Sequence, residues 1–241
     1  MNSAKNLAVL QSRWTGCAKC DLHKMRPSRE ISFGGGSTKA TYLIVGNAPR
    51  DTDESHGTVF SGRASDVLLA SLEQVGISLD DCYFTYAVSC RPKVFIPATE
   101  TEQERIEDRA PSRDELTACR SRLYEILYQV DPRVVITAGE WATKTMVRGR
   151  LPRFVEAVGK QYICVLMSAD PEDHTEGSIE GKARYHDIKY PVLAVPDPTT
   201  ILANTSTASH GPHHVLLKTL QRARDLVKFI NNTEAKTMES K

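Results

Sequence analysis

The stretch Leu43–Leu69, LIVGNAPRDTDESHGTVFSGRASDVLL, constrains this chain more than any other. An apolar run ends at Gly46-Asn47-Ala48-Pro49. A polar, acidic loop follows, then Phe60-Ser61-Gly62-Arg63, then apolar residues at helical spacing (Val67, Leu68, Leu72, Val75). The pattern predicts a buried strand, a long turn and a helix. In an open α/β sheet, side chains and backbone N–H groups gathered at the carboxyl end of such a strand are where ligands bind.

The same alternation runs through the rest of the chain. Residues 3–14 predict a short amphipathic helix, and residues 26–38 a Gly- and Ser-rich loop. Cys82–Val88 reads as a second buried strand by its aromatic and β-branched content. Residues 93–111 are polar, charged and flanked by proline, and are expected to form a surface insertion. Ser112 with Glu115 three residues later is a capping box, opening a helix that reaches about Val130. Arg133–Thr137 is a third strand, Gly139–Val147 a third helix, residues 161–167 a further strand, residues 168–189 a solvated excursion. Pro191–Val195 is the last strand, and Gly211–Ile230 a closing helix. One domain is expected over residues 1–230, with a polar, frayed tail over 231–241. Strands alternating with helices argue for an α/β fold, a mainly parallel sheet covered on both faces.

The cysteines need the composition to be read. The 241 residues carry six cysteines, a net charge of +1, 40% hydrophobic and 25% charged residues. That is an ordinary globular composition, with no basic field announcing nucleic acid. No apolar run approaches the ~20 residues of a membrane span. The amino-terminal stretch lacks the long apolar core of a signal peptide, so a cytoplasmic protein is expected and a disulfide framework is not. Cys17 and Cys20 form a CxxC, Cys90 ends a strand, and Cys119 lies on a helix. Four such thiolates can hold a [4Fe–4S] cluster or Zn²⁺. Cys82 and Cys164, inside apolar strands, read as inert buried thiols.

Taken in order, Cys17-Ala18-Lys19-Cys20-Asp21-Leu22-His23, the GNAPRDTDESHGTVFSGRASDVLL stretch, Ser89-Cys90-Arg91-Pro92, the helical Cys119 and DPRVVITAGEWA resemble the family 4 uracil-DNA glycosylases, the iron–sulfur branch of the uracil-DNA glycosylase superfamily. The resemblance covers roughly residues 10–230, with insertions at 93–108 and 168–189. It implies a three-layer αβα sandwich with a mainly parallel four-stranded sheet. It also implies a structural [4Fe–4S] cluster on Cys17, Cys20, Cys90 and Cys119, DNA as partner, no membrane and a monomer. A DNA glycosylase takes its base out of the stack into a pocket and hydrolyses the N-glycosidic bond.

The same resemblance assigns roles residue by residue. Asn47 stands where the family has a water-activating Glu, and an amide can orient a water but is no strong base. Ala48, Phe60 and Tyr86 fall at base-binding positions, Phe60 as the stacking ring. Tyr86 replaces an Asn that reads the uracil edge, and one phenol cannot reproduce a paired donor and acceptor. Asp197 replaces the leaving-group His of a late HPS motif. His210, His213 and His214 lie downstream as substitutes for it. Arg50, Arg63, Arg91, Thr199 and Ile201 are the expected DNA contacts, with Ile201 or Leu202 as the wedge filling the vacated stack. The departures at Asn47, Tyr86 and Asp197 point away from plain uracil, toward a modified base of the phage-hypermodification kind in replication, repair or defence. The alternatives are a catalytically silent module binding DNA or a partner, and a nucleotide-processing enzyme on the same scaffold.

Overall fold

The computed structural model describes residues 3–147, 151–166, 188–204 and 211–239. In chain order the helices are α1 (Ser3–Trp14), α2 (Asp51–His56), α3 (Arg63–Gln74), α4 (Arg113–Val130), α5 (Glu140–Met146), α6 (Phe154–Ala157), α7 (Pro198–Ala203) and α8 (Pro212–Glu239). The strands are β1 (Gly35–Gly36), β2 (Tyr42–Gly46), β3 (Cys82–Tyr86), β4 (Lys93–Ile96), β5 (Arg105–Asp108), β6 (Val134–Ala138), β7 (Gln161–Leu166) and β8 (Ile188–Val195).

The sheet runs β1-β3-β2-β6-β8-β7. Its four inner strands are mutually parallel, as expected. Two antiparallel edge strands, β1 against β3 and β7 against β8, extend it to six. The inner strands are apolar almost throughout because both faces are covered, and alternate side chains go to opposite layers. Leu43, Val45, Tyr83, Val135 and Val192 pack on one side under α1, α4 and α5, against Leu7, Leu10, Trp14, Leu123, Leu127 and Met146. Tyr42, Ile44, Phe84, Ile136, Leu193 and Val195 pack on the other, against Leu68 and Leu72 of α3 and Leu216, Leu220 and Val227 of α8. The three layers are the predicted αβα arrangement. A one-residue slip of any inner strand would exchange its two faces, so the register is fixed by both layers at once.

Register also positions the site. Gly46 pairs with Tyr86 on one side and Ala138 on the other, and Ala138 pairs with Val195. The four parallel strands therefore end level, and the residues just beyond them, Asn47 and Gly139 among them, share one rim.

Three segments differ from the sequence reading. Residues 93–111 do lie on the surface, but β4 and β5 pair there as an antiparallel hairpin with Phe95 opposite Ile106. Helix α8 continues well past Ile230 to Glu239, its exposed end tied to the sheet by an Arg133–Glu234 ion pair at 2.5 Å. Of the predicted excursion, residues 168–187 lie outside the described residues, and Ile188 and Lys189 belong to β8. Among the described residues no helix is long and apolar enough to cross a membrane.

Candidate active site

At the rim of the sheet a pocket of about 220 Å³ opens between the strand ends and the base of the β4–β5 hairpin. Asn47, Ala48, Arg50, Phe60, Tyr86, Asp197 and Thr199 line it, together with Asp53, Asp108, Arg109 and Trp141. The structure thus brings together side chains from the ends of β2, β3 and β8.

Asn47 leaves β2 and turns toward the first turn of α5. Its Oδ1 accepts from the backbone N–H groups of Trp141 and Ala142, both at 2.9 Å, and its Nδ2 donates to Asp197 Oδ2 at 2.6 Å. Only one orientation of the amide suits two N–H donors on one side and a carboxylate on the other. Gly139 makes this possible. It has φ +105°, and a Cβ there would stand 2.2 Å from Asn47 Nδ2. Asp197 caps α7, with Oδ1 accepting from Thr199 N at 2.8 Å and Thr199 Oγ1 at 2.6 Å. The Trp141 and Ala142 N–H groups in the first turn of α5 and the Thr199 N–H in that of α7 are thus already bonded by Asn47 and Asp197.

Phe60 and Tyr86 form a parallel stack, with ring centroids 4.8 Å apart and planes 1° apart, and Phe84 leans on Phe60 at 5.4 Å. The Phe60 N–H donates to the Tyr86 hydroxyl at 2.8 Å. Burial, with Asp53 nearby, pushes the Tyr86 phenol well up, so it is neutral. Gly46 lies so close beneath that an added Cβ would meet both rings within 2.9 Å. Phe60 itself sits at φ +54°, in the left-handed region, and is only 6% exposed. The platform expected to receive a base is thus already covered on one face by Tyr86. Asp53, which the sequence reading missed, holds this turn: it accepts from the Ser61 N–H at 2.7 Å, the Ser61 hydroxyl at 3.0 Å and the Arg50 N–H at 2.8 Å. Its place three residues after Arg50, at the third position of α2, was the available signal.

The expected DNA contacts divide. Arg50 is half exposed beside the pocket, with Nε on Asp108 at 3.0 Å, and Arg63 opens α3 exposed to solvent outside the pocket lining. Arg91, by contrast, is 8% exposed and held through Nε and Nη1 by Asp108 and Asp51 at 2.5 Å each and Glu54 at 3.5 Å, so it anchors the hairpin to α2. On α7, Ile201 is 5% exposed and faces the core, whereas Leu202 projects at 39%. His213 rests against Ser71 of α3 at 3.4 Å and His214 is exposed at the start of α8, neither lining the pocket, and His210 lies outside the described residues.

On the other side of the hairpin, Cys17, Cys20, Cys90 and Cys119 line one cleft with Trp14, His23 and Arg122, and none of them is in a disulfide. The cleft is narrow, about 10 Å³, and among the described residues no group of three or more His, Cys, Asp or Glu stands in metal-holding geometry. The surroundings nonetheless fit an anionic metal centre. Arg122 is fully buried, donates to the carbonyls of Phe33 and Tyr86 and to Thr85 Oγ1, and has no carboxylate partner among the described residues. Arg26 Nη1 approaches Cys90 Sγ at 3.8 Å. The buried Nε atoms of Arg26 and Arg122 and the Ser89 hydroxyl have no hydrogen-bond partner among the described residues. Burial pushes the Cys90 thiol up to about 12 and raises Cys20. Four soft donors ringed by unmatched cations suit a thiolate-bound cluster, whose binding would release the thiol protons.

A three-layer αβα fold with a walled pocket at the carboxyl ends of its parallel strands places its ligand site where such open sheets bind ligands. The chain belongs to the Uracil DNA glycosylase superfamily, whose pattern matches residues 33–221. It is similar to the Type-4 uracil-DNA glycosylase of Pyrobaculum aerophilum, at 30% identity over 65% of this chain and 74% of the relative. The Type-4 uracil-DNA glycosylases of Saccharolobus solfataricus and Sulfurisphaera tokodaii are each 28% identical, over 64% and 66% of this chain and 65% and 67% of the relatives. The match to the Saccharolobus protein thus spans just under two thirds of its length.

Proposed function

We propose that the protein is a DNA glycosylase that hydrolyses the N-glycosidic bond of a flipped base other than plain uracil. The stack of Tyr86 on Phe60 at 4.8 Å carries this reading. A ring already lies where an aromatic platform would receive a pyrimidine, and its single hydroxyl is engaged by the Phe60 N–H. A pocket reading uracil needs a free donor beside a free acceptor. The remaining space, walled by the hairpin, suits a base bearing a polar substituent, such as a hypermodified base of the phage type. In the reaction the electron pair of the glycosidic bond departs with the base nitrogen. The sugar is left cationic at C1′, and water adds there. One water proton goes to solvent while the base takes one up, giving free base and an abasic sugar. The protein's part is to exclude bulk water, hold the base and stabilise the developing charges.

Cys17, Cys20, Cys90 and Cys119 are the residues that would hold a [4Fe–4S] cluster, which when bound would cross-link the amino-terminal segment, the end of β3 and α4. Purified protein is expected to contain iron and to absorb broadly in the visible, and Cys119→Ser to lose both. Zinc without iron in the wild type would discard the cluster and leave the fold. The function is tested by incubating the protein with oligonucleotides carrying uracil or a panel of modified pyrimidines and measuring free base by mass spectrometry. Release of a substituted base with negligible uracil release is the expected result, and efficient uracil release would refute the altered specificity. A second reading, a binding module without chemistry, draws on the Asn47 amide, whose Oδ1 is taken by two N–H groups and whose Nδ2 is tied to Asp197. Tight binding with no base released from any substrate would favour it.

A further inference from the structure

Three carboxylates line the pocket among the described residues, and they are not equivalent. Asp108 is paired with Arg50 at 3.0 Å and Arg91 at 2.5 Å. Asp53 is 2% exposed and turned to the Phe60 turn, where two backbone N–H groups and a hydroxyl fill it. Asp197 is half-buried and receives only neutral donors: Thr199 N, Thr199 Oγ1 and Asn47 Nδ2. The two cations on the pocket wall are engaged elsewhere, Arg50 by Asp108 and Arg109 by Glu115 at 2.6 Å. Neither Asp53 nor Asp197 is paired with a cation among the described residues, but Asp53 is buried in the Phe60 turn, so Asp197 is the un-neutralised carboxylate left facing the pocket. Its aim is fixed from both sides. The Thr199 donors hold Oδ1, while Asn47, itself clamped on the start of α5, holds Oδ2 through one hydrogen bond and leaves that oxygen a second lone pair.

We propose that Asp197 is the anion facing the cationic sugar as the glycosidic bond breaks, and that Asn47 is a positioning residue that aims it. This rests on the glycosylase reading and assigns the charge at its centre. A fixed anion whose orienting dipoles are already in place stabilises positive charge at C1′ without reorganising during the reaction. Its contribution in this scheme is electrostatic: it moves no proton. Asn47 touches no reacting atom in this scheme. Removing it would let the carboxylate swing and would orphan the Trp141 and Ala142 N–H groups. An anion here does nothing for a base leaving as an anion, so the scheme also favours a target base that departs readily on its own.

The charge can be tested without knowing the base. The full-length protein is titrated with three oligonucleotides of one sequence: unmodified, with a neutral tetrahydrofuran abasic mimic, and with a cationic pyrrolidine abasic mimic. Wild type is expected to bind both mimics above the unmodified strand, and the pyrrolidine more tightly than the tetrahydrofuran by roughly tenfold or more, the scale of one close charge pair at partial burial. Asp197→Asn, which keeps the shape and a capping oxygen, should bring the ratio of pyrrolidine to tetrahydrofuran affinity close to one. Should it fail to fold, Asp197→Ser retains an acceptor for the Thr199 N–H and serves instead. Asn47→Ala should narrow the ratio of pyrrolidine to tetrahydrofuran affinity, a ratio that general loosening of the fold does not move. Equal affinity of wild type for the two mimics, or a preference that survives in Asp197→Asn, overturns the role of Asp197. A full preference in Asn47→Ala overturns that of Asn47. Base release from the panel alongside equal mimic affinities sinks this inference alone, whereas no selection of either mimic over unmodified DNA sinks it together with the glycosylase reading.

Discussion

The pocket at the strand ends and the cleft of the four cysteines differ in how fully their polar groups are bonded. In the pocket Asn47, Asp197, Asp53 and the Tyr86 hydroxyl each have named partners. In the cleft Arg122 carries a buried positive charge with only neutral acceptors, and three buried donors have no partner among the described residues. Native interiors leave few polar groups unsatisfied, and each exception asks for a reason. The pocket holds its own geometry and is ready for a substrate. The cleft has donors and soft ligands to spare, the signature of a place where an anionic group completes the interior.

The largest expected effect tests the cleft. Arg122→Leu orphans the Phe33 and Tyr86 carbonyls and Thr85 Oγ1, and should cost about 3 kcal/mol or more in denaturant unfolding. A loss below about 1 kcal/mol, the worth of a single ordinary bond, would break the contrast by showing that the buried cation is not integral. The pocket is tested next. Tyr86→Phe keeps the stack but strands the Phe60 N–H, and should cost about 1–3 kcal/mol. Unchanged stability would mean that packing alone, not bonding, sets this pocket. The smallest effect concerns the border between the two regions, where Glu115 joins Arg109 on the pocket wall to the helix of Cys119. Burial raises the Glu115 carboxyl, but the Arg109 guanidinium and the Ser112 donors outweigh it and hold it below its ordinary 4.5. A depressed folded value contributes stability that is complete above the ordinary value and is lost as pH falls through the folded one. Wild type should therefore lose more stability than Glu115→Gln as pH drops below about 4.5 in parallel urea titrations, and equal losses would remove the pair from the comparison.

What the sequence made legible was local or doubly buried. The Ser112–Glu115 capping box was readable because its partners lie three residues apart, and the inner strands because apolar residues fill both faces. The level of the strand ends, and with it the neighbourhood of Asn47, Tyr86 and Asp197, followed from the resemblance. The bonds among these residues did not. Nothing near Asn47 shows that its amide is spent on α5 and on the cap of α7. The anchoring of Arg91 did not show because its three carboxylates lie on α2 and β5, out of sequence reach. Ile201 and Leu202 could not be told apart because a helix of six residues is too short to display which face is inward. The β4–β5 hairpin gave no periodic signal, since most of its residues meet water on both faces.

The left-handed backbone at Phe60 bears on how this pocket can change. A bulky side chain at positive φ carries a conformational penalty of about 1–3 kcal/mol. Glycine there would shed that penalty and empty the ring's place in one stroke, two effects of opposite sign. A screen that scores variants at this position by melting temperature would therefore under-report the ring, because the relieved strain offsets part of the about 3–5 kcal/mol that losing a buried ring costs.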